Sequence, residues 1–591
     1  MIKLFKFLKQ YAIHITIIVL LTFTQVLANL YLPTLMADIV DKGIVQKDVA
    51  QTISFWSYTG EYKGVDYILR IGAIMLLVSL GGAICSIVSS FLSSRTAIGF
   101  ARIIRNKLFA KVESFSLHEF DKLGTATLIT RTTNDVTQVQ SVMVMMFSIM
   151  LFAPLTALGG VFMALREDKT LTWIFAVVIP LLAIIILLTL KFAMPLFKLM
   201  QVKIDKLNLV LREHLTGIRV VRAFNRINTE KVRFDDANRD LMDNAIKVNK
   251  IMAILMPIMM LIMNVTTVSV IWFGSIRIDS GSMEVGSLIA FMQYGMQILF
   301  GFLMLGMVFI MIPRAQASAV RINEVLDMKS EILDPEKPVI NENEGGYVEF
   351  KDVSFRYPGA EQDAISNISF SAKPGEVTAI IGGTGSGKST LINMIPRFYD
   401  VTNGEVLVDG IDVRQMSQES IRAKIGFVPQ KTVLFSGTIA ENIKYGKDDA
   451  SIEEIRHAAA VAQAADFING MEDGYDHVIA QGGTNVSGGQ KQRLSIARAL
   501  VRKPEIYVFD DSFSALDFKT DAKLRAALKN ETSKSTVIIV AQRVATVMDA
   551  DRIMVLDEGR IAGIGTHKEL LNSCKVYSEI VSSQLSEEEL S

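Results

Sequence analysis

The chain predicts a membrane all-α domain of six transmembrane helices, followed by a cytoplasmic α/β domain. Three observations carry this. Six runs, residues 13–35, 71–94, 136–165, 170–190, 251–276 and 285–313, contain no Asp, Glu, Lys or Arg. After Arg314 the long apolar runs stop and alternating strand patterns begin, as in "VEFKDVSFRY" and "ISNISFSA". A glycine-rich loop then follows a short apolar strand, "GEVTAIIG".

Each uncharged run meets or exceeds the roughly 20 residues that cross a hydrocarbon core. Length alone, at 591 residues, would suggest several soluble domains, but hydropathy overrides it. Basic residues set the orientation. Residues 95–131 carry seven Lys and Arg and residues 191–250 carry thirteen, together with Lys3, Lys6 and Lys9, whereas the loops on the other side carry four, two and one. The basic side is the cytoplasmic side, which places both termini in the cytoplasm, with the spans in a cell (plasma) membrane. The first apolar run is too long for a cleaved signal peptide and ends in no clear small-residue cleavage site. "MIKLFKFLKQ" reads as a basic amphipathic helix on the inner leaflet. The cytoplasmic loops have few helix breakers, so the spans are expected to continue as helices well beyond the membrane. "ESFSLHEFDKLG" and "GIRVVRAFNR" are their expected tips; ordinary solvated connectors are the alternative.

The division expected is 1–325 for the membrane part, 326–346 for a Pro- and Asn-containing acidic linker, and 347–591 for the α/β part. Lys plus Arg equals Asp plus Glu at 61 each, with no basic tail, so nucleic acid is not an expected partner. Two cysteines, Cys85 and Cys574, make no disulfide framework, and six scattered histidines lack metal-ligand spacing.

"GGTGSGKST" spans Gly382, Gly383, Thr384, Gly385, Ser386, Gly387, Lys388, Ser389 and Thr390. Such a loop turns backbone N–H groups onto phosphate oxygens, the lysine reaches the β- and γ-phosphates, and the Ser389 hydroxyl joins a Mg²⁺ shell. The second domain is therefore an α/β P-loop nucleotide-binding domain. "IYVFDD" ends an apolar strand in Asp510 and Asp511. Alone, the pair could cap a helix; with the phosphate loop upstream, Asp510 is expected to complete the Mg²⁺ site.

"NVSGGQKQRLSIARAL" contains Ser487, Gly488, Gly489 and Gln490, a glycine pair opening a helix. "FVPQ" places Gln430 between the two nucleotide motifs, and "FRYPG" offers the Tyr357 ring, though a lone tyrosine is more often a packing residue. With the spans, these motifs resemble an ATP-binding cassette exporter of the half-transporter type, over essentially the whole chain. The resemblance implies a dimer in which each ATP is held by the phosphate loop of one chain and the Ser-Gly-Gly-Gln signature of the other. It implies that Tyr357 stacks on adenine, that Gln430 senses Mg²⁺ and the membrane domain, and that Asp517 in "SALD" crosses the dimer interface.

Three positions depart from the family pattern. Asp511 stands where a catalytic Glu is usual, and a carboxylate one methylene shorter retreats by roughly 1 Å, a displacement that can cost about a hundredfold. Gln542, in "TVIIVAQRVAT", stands where a switch histidine is usual; it can donate a hydrogen bond but cannot become cationic. Gln481 stands where exporters usually have Glu, which puts a coupling contact in doubt. The intact signature beside a damaged catalytic pair resembles the degenerate-site subunit of bacterial heterodimeric multidrug exporters. The expected partner is a second half-transporter with the catalytic Glu, the switch His and an altered signature.

No motif names the substrate. Met252, Met256, Met260 and Met263 share one face of the fifth span, and Met292, Met296, Met304, Met307 and Met311 punctuate the sixth with Phe300, Phe302 and Phe309. They would line an adaptable apolar cavity or serve as lipid-facing and interhelical packing. Asn29, Asn264 and Gln293 are expected to make interhelical hydrogen bonds. The function expected is ATP-driven efflux of lipophilic drugs or lipids; the alternative is a nucleotide-gated channel or non-transporting sensor on the same scaffold.

Overall fold

The computed structural model describes residues 1–55, 58–339 and 345–584. The chain forms two compact units. One comprises Met1–Glu113 with Thr125–Met328, and the other Ser114–Gly124 with Lys329–Ser591.

The first unit is helical. Among the described residues, six helices are long and apolar enough to cross a membrane: Ile2–Val45, Gly64–Glu113, Thr125–Glu167, Trp173–Thr216, Ile227–Asp279 and Val285–Leu305. The last belongs to a helix that runs on to Asp327, so the expected 326–346 linker starts within its final turn; residues 340–344 of that linker lie outside the described residues. Gly64–Glu113 has 50 residues and Ile227–Asp279 has 53. At 1.5 Å per residue these reach about 75–80 Å, far beyond a ~30 Å hydrocarbon core. The spans do continue as helices, as the scarcity of breakers in the loops implied.

Polar contacts stitch the spans together. The Tyr294 hydroxyl donates to the Leu30 carbonyl at 3.1 Å and lies 2.7 Å from the Thr34 hydroxyl. Thr22 and Ser89 hydroxyls meet at 3.0 Å. Asp168 and Arg277 pair at 2.6 Å, joining the ends of two spans. Asn264 and Gln293 are exposed on this chain, outside its own interhelical packing, and Asn29 takes part through its backbone carbonyl, which accepts from Gln297 Nε2 at 3.4 Å. Of the methionines, Met256, Met260 and Met296 are exposed and Met252, Met263, Met292, Met304 and Met311 half-buried, while the side chains of Met307 and Phe309 lie outside the described residues.

The tip helix Leu117–Leu123 belongs to the second unit. A capping box of Ser116 and Glu119 starts it, Glu119 also accepts the Glu331 N–H at 3.1 Å, and the Tyr399 hydroxyl donates to Asp121 at 3.2 Å. The other tip, Ile218–Ala223, leaves Val220 and Phe224 exposed, Phe224 at 74%.

Two larger sheets frame the second unit. Its principal strands, in chain order, are β1 Val348–Phe355, β2 Ile365–Ala372, β3 Val377–Gly382, β4 Asn403–Val408, β5 Ile411–Asp412, β6 Ile425–Val428, β7 Ile506–Asp510, β8 Thr536–Val540, β9 Arg552–Asp557 and β10 Arg560–Gly565. An antiparallel sheet has the order β2-β1-β4-β5, and a six-stranded sheet the order β10-β9-β3-β8-β7-β6. In the latter β9, β3, β8, β7 and β6 run parallel and β10 is an antiparallel edge. Every residue of β7, "IYVFD", and of β8, "TVIIV", is buried, which is why both read as unbroken apolar runs rather than alternating ones.

Candidate nucleotide site

Register sets the site. Val540 of β8 pairs with Asp510 of β7 and with Ile380 of β3, and Phe509 of β7 pairs with Val428 of β6. The four parallel strands therefore end almost level. The next residues of each, Gly382–Gly383, Gln430, Asp510–Asp511 and Gln542, line one edge, where open parallel sheets bind their ligands.

The phosphate loop leaves β3 through Gly382, where a Cβ would lie 2.2 Å from the Leu556 carbonyl oxygen. Gly387 adopts φ +94°, and a Cβ there would meet Ile365 at 2.7 Å. At Gly383 and Gly385 an added Cβ would meet nothing within 4 Å, so the loop's outer face is open. Gly387 is the N-cap of the helix beginning at Lys388, and no side chain caps it, leaving first-turn N–H groups for an anion. Lys388 is buried, with Nζ donating to the Gly382 and Gly383 carbonyls at 2.8 and 2.6 Å. Burial pushes its pKa down, and the charges of Asp511 and Asp510 oppose that.

Ser389 Oγ donates to Asp510 Oδ1 at 3.1 Å. Burial raises the Asp510 pKa, against the Ser389 hydrogen bond, and it raises that of Asp511, against hydrogen bonds from Gln430 and Ser514. A hydroxyl and a carboxylate in contact at a phosphate loop fit Mg²⁺, which binds through one or two protein oxygens and takes its other ligands from phosphate and water. Among the described residues no group of three His, Cys, Asp or Glu could hold a metal alone, and Mg·ATP needs none. The open loop, the buried ammonium and the Ser389–Asp510 pair fit that nucleotide.

Asp511 has φ +47°, a left-handed conformation that Asp tolerates better than most residues. Its N–H donates to the Val540 carbonyl at 2.9 Å and its own carbonyl accepts from Ser514 Oγ at 2.9 Å. One carboxylate oxygen, Oδ2, accepts from both Gln542 Nε2 at 3.1 Å and Gln430 Nε2 at 3.4 Å. Gln430 thus touches Asp511 rather than the Ser389–Asp510 pair. Neither amide can take up a proton.

The Tyr357 hydroxyl lies 3.0 Å from Thr390 Oγ1, and its ring sits edge-on against Phe355 and Tyr399 with centroids 4.9 and 5.6 Å away. It is 37% exposed, so the ring keeps a free surface next to the phosphate-loop helix.

The signature stands apart from this network. Ser487 and Gln490 form a reciprocal capping box, Ser487 N–H to Gln490 Oε1 at 2.8 Å and Gln490 N–H to Ser487 Oγ at 3.3 Å. Ser487 and Gly488 are exposed. A Cβ on Gly489 would meet the Ala515 carbonyl at 3.1 Å, but one on Gly488 would meet nothing within 4 Å. This chain's own packing does not require a glycine at 488. Asp517 accepts the Thr520 N–H at 2.9 Å and caps the helix Phe518–Glu531. Gln481 is exposed in a 3₁₀ turn. Sequence reasoning missed Ser514 and Gln584; the latter bonds the backbone on both sides of Arg543, and no motif marks it.

The family described as "ABC transporter transmembrane region" matches residues 15–303, and that described as "ABC transporter" matches residues 365–514. An ABC transporter ATP-binding protein of Mycobacterium tuberculosis is 42% identical over 98% of this chain and 97% of its own length. An ATP-dependent lipid A-core flippase of Syntrophus aciditrophicus is 33% identical over 88% of this chain and 86% of its own. A solved bacterial Atm1-family ABC exporter with ATP bound superimposes with a TM-score of 0.79 at 26% identity, covering 98% of this chain and 99% of that one. The six long helices, the phosphate loop on a parallel sheet and this agreement along nearly the full length lead to one statement: the chain belongs to the ABC transporter family, as a half-transporter with one transmembrane region and one nucleotide-binding domain.

Proposed function

We propose that this half-transporter exports lipophilic small molecules or lipids across the cell membrane at the expense of ATP, as one half of a heterodimer with both termini cytoplasmic. Its own pocket holds Mg·ATP through residues 382–390, Asp510 and Tyr357, with Gln430 sensing the metal from its place on Asp511, and cleaves it slowly. Its Ser487, Gly488, Gly489 and Gln490 complete the fast site on the partner. Bound ATP would supply the phosphates that organise the loop, and Lys388 and Mg²⁺ would together offset their negative charge.

The observation that carries the asymmetry is the Asp511 carboxylate, held through one oxygen by two neutral amides, beside a signature glycine that this chain's own fold does not need. A general base must accept a proton from water within about 2.6–3.2 Å. The Asp511 side chain is one methylene shorter than Glu, and its Oδ2 is shared by Gln542 and Gln430. The flippase likeness supports a lipidic or lipid-like substrate, as do the exposed methionines of the fifth and sixth spans.

Purification in mild detergent and reconstitution into vesicles tests the proposal. A second, different half-transporter should co-purify, and a lipophilic dye should accumulate against its gradient only with ATP. Equilibration without accumulation would favour a nucleotide-gated channel, and a fully active complex of identical chains would remove the heterodimer.

A further inference from the structure

Lys575–Ser582, the C-terminal helix, is the last helix among the described residues. Two residues beyond it, Gln584 donates from Nε2 to the Gln542 carbonyl at 2.8 Å and accepts the Val544 N–H at Oε1, at 2.9 Å. One side-chain amide thus grips the backbone on both sides of Arg543. Val544 opens the short helix Val544–Val547, whose N-cap residue Arg543 offers no side-chain bond, so Gln584 satisfies a first-turn N–H that would otherwise lack a partner. The support is stiff. Tyr577 and Val581 of the C-terminal helix are fully buried in the same apolar cluster as Val544 and Val547. At the other end of the grip, the Gln542 side chain donates to Asp511 Oδ2 at 3.1 Å.

We infer that Gln584 is a positioning residue for this nucleotide pocket. By fixing the Gln542 backbone it keeps the Gln542 amide aimed at Asp511 and at the terminal phosphate of bound ATP, and so prolongs nucleotide retention. The C-terminal helix is thereby wired to the switch across 42 residues of sequence. This rests on the reading that the pocket holds Mg·ATP.

The test uses the purified full-length chain assembled with its partner, and Gln584→Ala and Gln584→Glu variants. Two readouts are taken: hydrogen exchange of the peptide containing Val544, without nucleotide, and release of a fluorescent N-methylanthraniloyl-ATP with Mg²⁺. Gln584→Ala loses both bonds, so the Val544 amide exchanges faster and release accelerates roughly 5–10-fold. Gln584→Glu keeps an acceptor for Val544 but sets a carboxylate oxygen against the Gln542 carbonyl; protection should persist while release still accelerates. In a Gln542→Ala background, Gln584→Ala should change release less than about twofold, because coupled residues are non-additive. Unchanged exchange at Val544 in Gln584→Ala, or equal acceleration of release with and without the Gln542 side chain, would overturn the inference. A wild-type pocket that binds no nucleotide would overturn the retention role and the Mg·ATP reading, while the exchange result would still decide whether the grip exists.

Discussion

Substituting Gly488 separates folding from turnover. A Cβ at this position meets nothing within 4 Å, and Gly488 has no positive φ while opening the helix Gly488–Val501. Gly488→Ala should therefore leave the chain folded and stabilise that helix by up to roughly 0.5 kcal/mol, since glycine costs more backbone entropy than alanine. That corresponds to a melting shift of at most about 1–2 °C upward. The open space is where the partner-bound γ-phosphate would approach the helix N-terminus. A methyl group there displaces the phosphate by roughly 1 Å, which costs about a hundredfold in rate; an Asp at 488 adds charge repulsion and should abolish turnover. The assay is steady-state ATPase of the complex beside its melting temperature. Retained ATPase in Gly488→Ala, or activity lost together with several degrees of melting temperature, would refute the reasoning.

Tyr357→Phe should keep ATP affinity, and Tyr357→Ala should weaken it by roughly tenfold if the ring stacks on the base; equilibrium binding of ATP to the complex distinguishes them. Asp510 keeps its proton to a higher pH than an ordinary carboxyl because burial raises its pKa. Mg²⁺ needs the ionised form, so Mg²⁺ affinity should fall on acidification at a higher pH than for an ordinary Asp, and Asp510→Asn should bind Mg²⁺ weakly at every pH with that dependence gone. Phe224 is 74% exposed at the second tip. A cysteine at 224 should crosslink to the partner's nucleotide-binding domain, and crosslinks confined to its own chain would refute that exchange.

Legibility in the sequence followed the kind of interaction. The six spans were legible because hydrocarbon excludes charge, and the β3-to-helix loop because only glycines at 382 and 387 fit beside Leu556 and Ile365. Asp510 and Ser389 were legible as types, and their 3.1 Å contact follows from the shared level of β3 and β7. The openness at Gly488 was not legible, because a glycine needed by the fold and one needed by a ligand look alike in sequence. Nor was the Gln584 grip, which depends on how the C-terminal helix packs. The surroundings of Asn264 and Gln293 were not legible, because residue type does not reveal which face of a helix its neighbours cover. The grouping of Ser114–Gly124 with the nucleotide-binding unit rests on contacts distant in the chain, among them Glu119 with Glu331 and Asp121 with Tyr399.

The central claim is that this chain contributes a retaining pocket and its partner a hydrolysing one. Asp511→Asn tests it most directly, because the substitution keeps the shape of the side chain and removes its capacity as a base. The measurement is the steady-state ATPase of the purified mutant complex, with nucleotide binding checked independently. The account predicts that much of the rate survives, since little proton transfer runs through Asp511. An Asp511→Asn complex that binds ATP yet is as inactive as Gly488→Asp would contradict it and make Asp511 a working base.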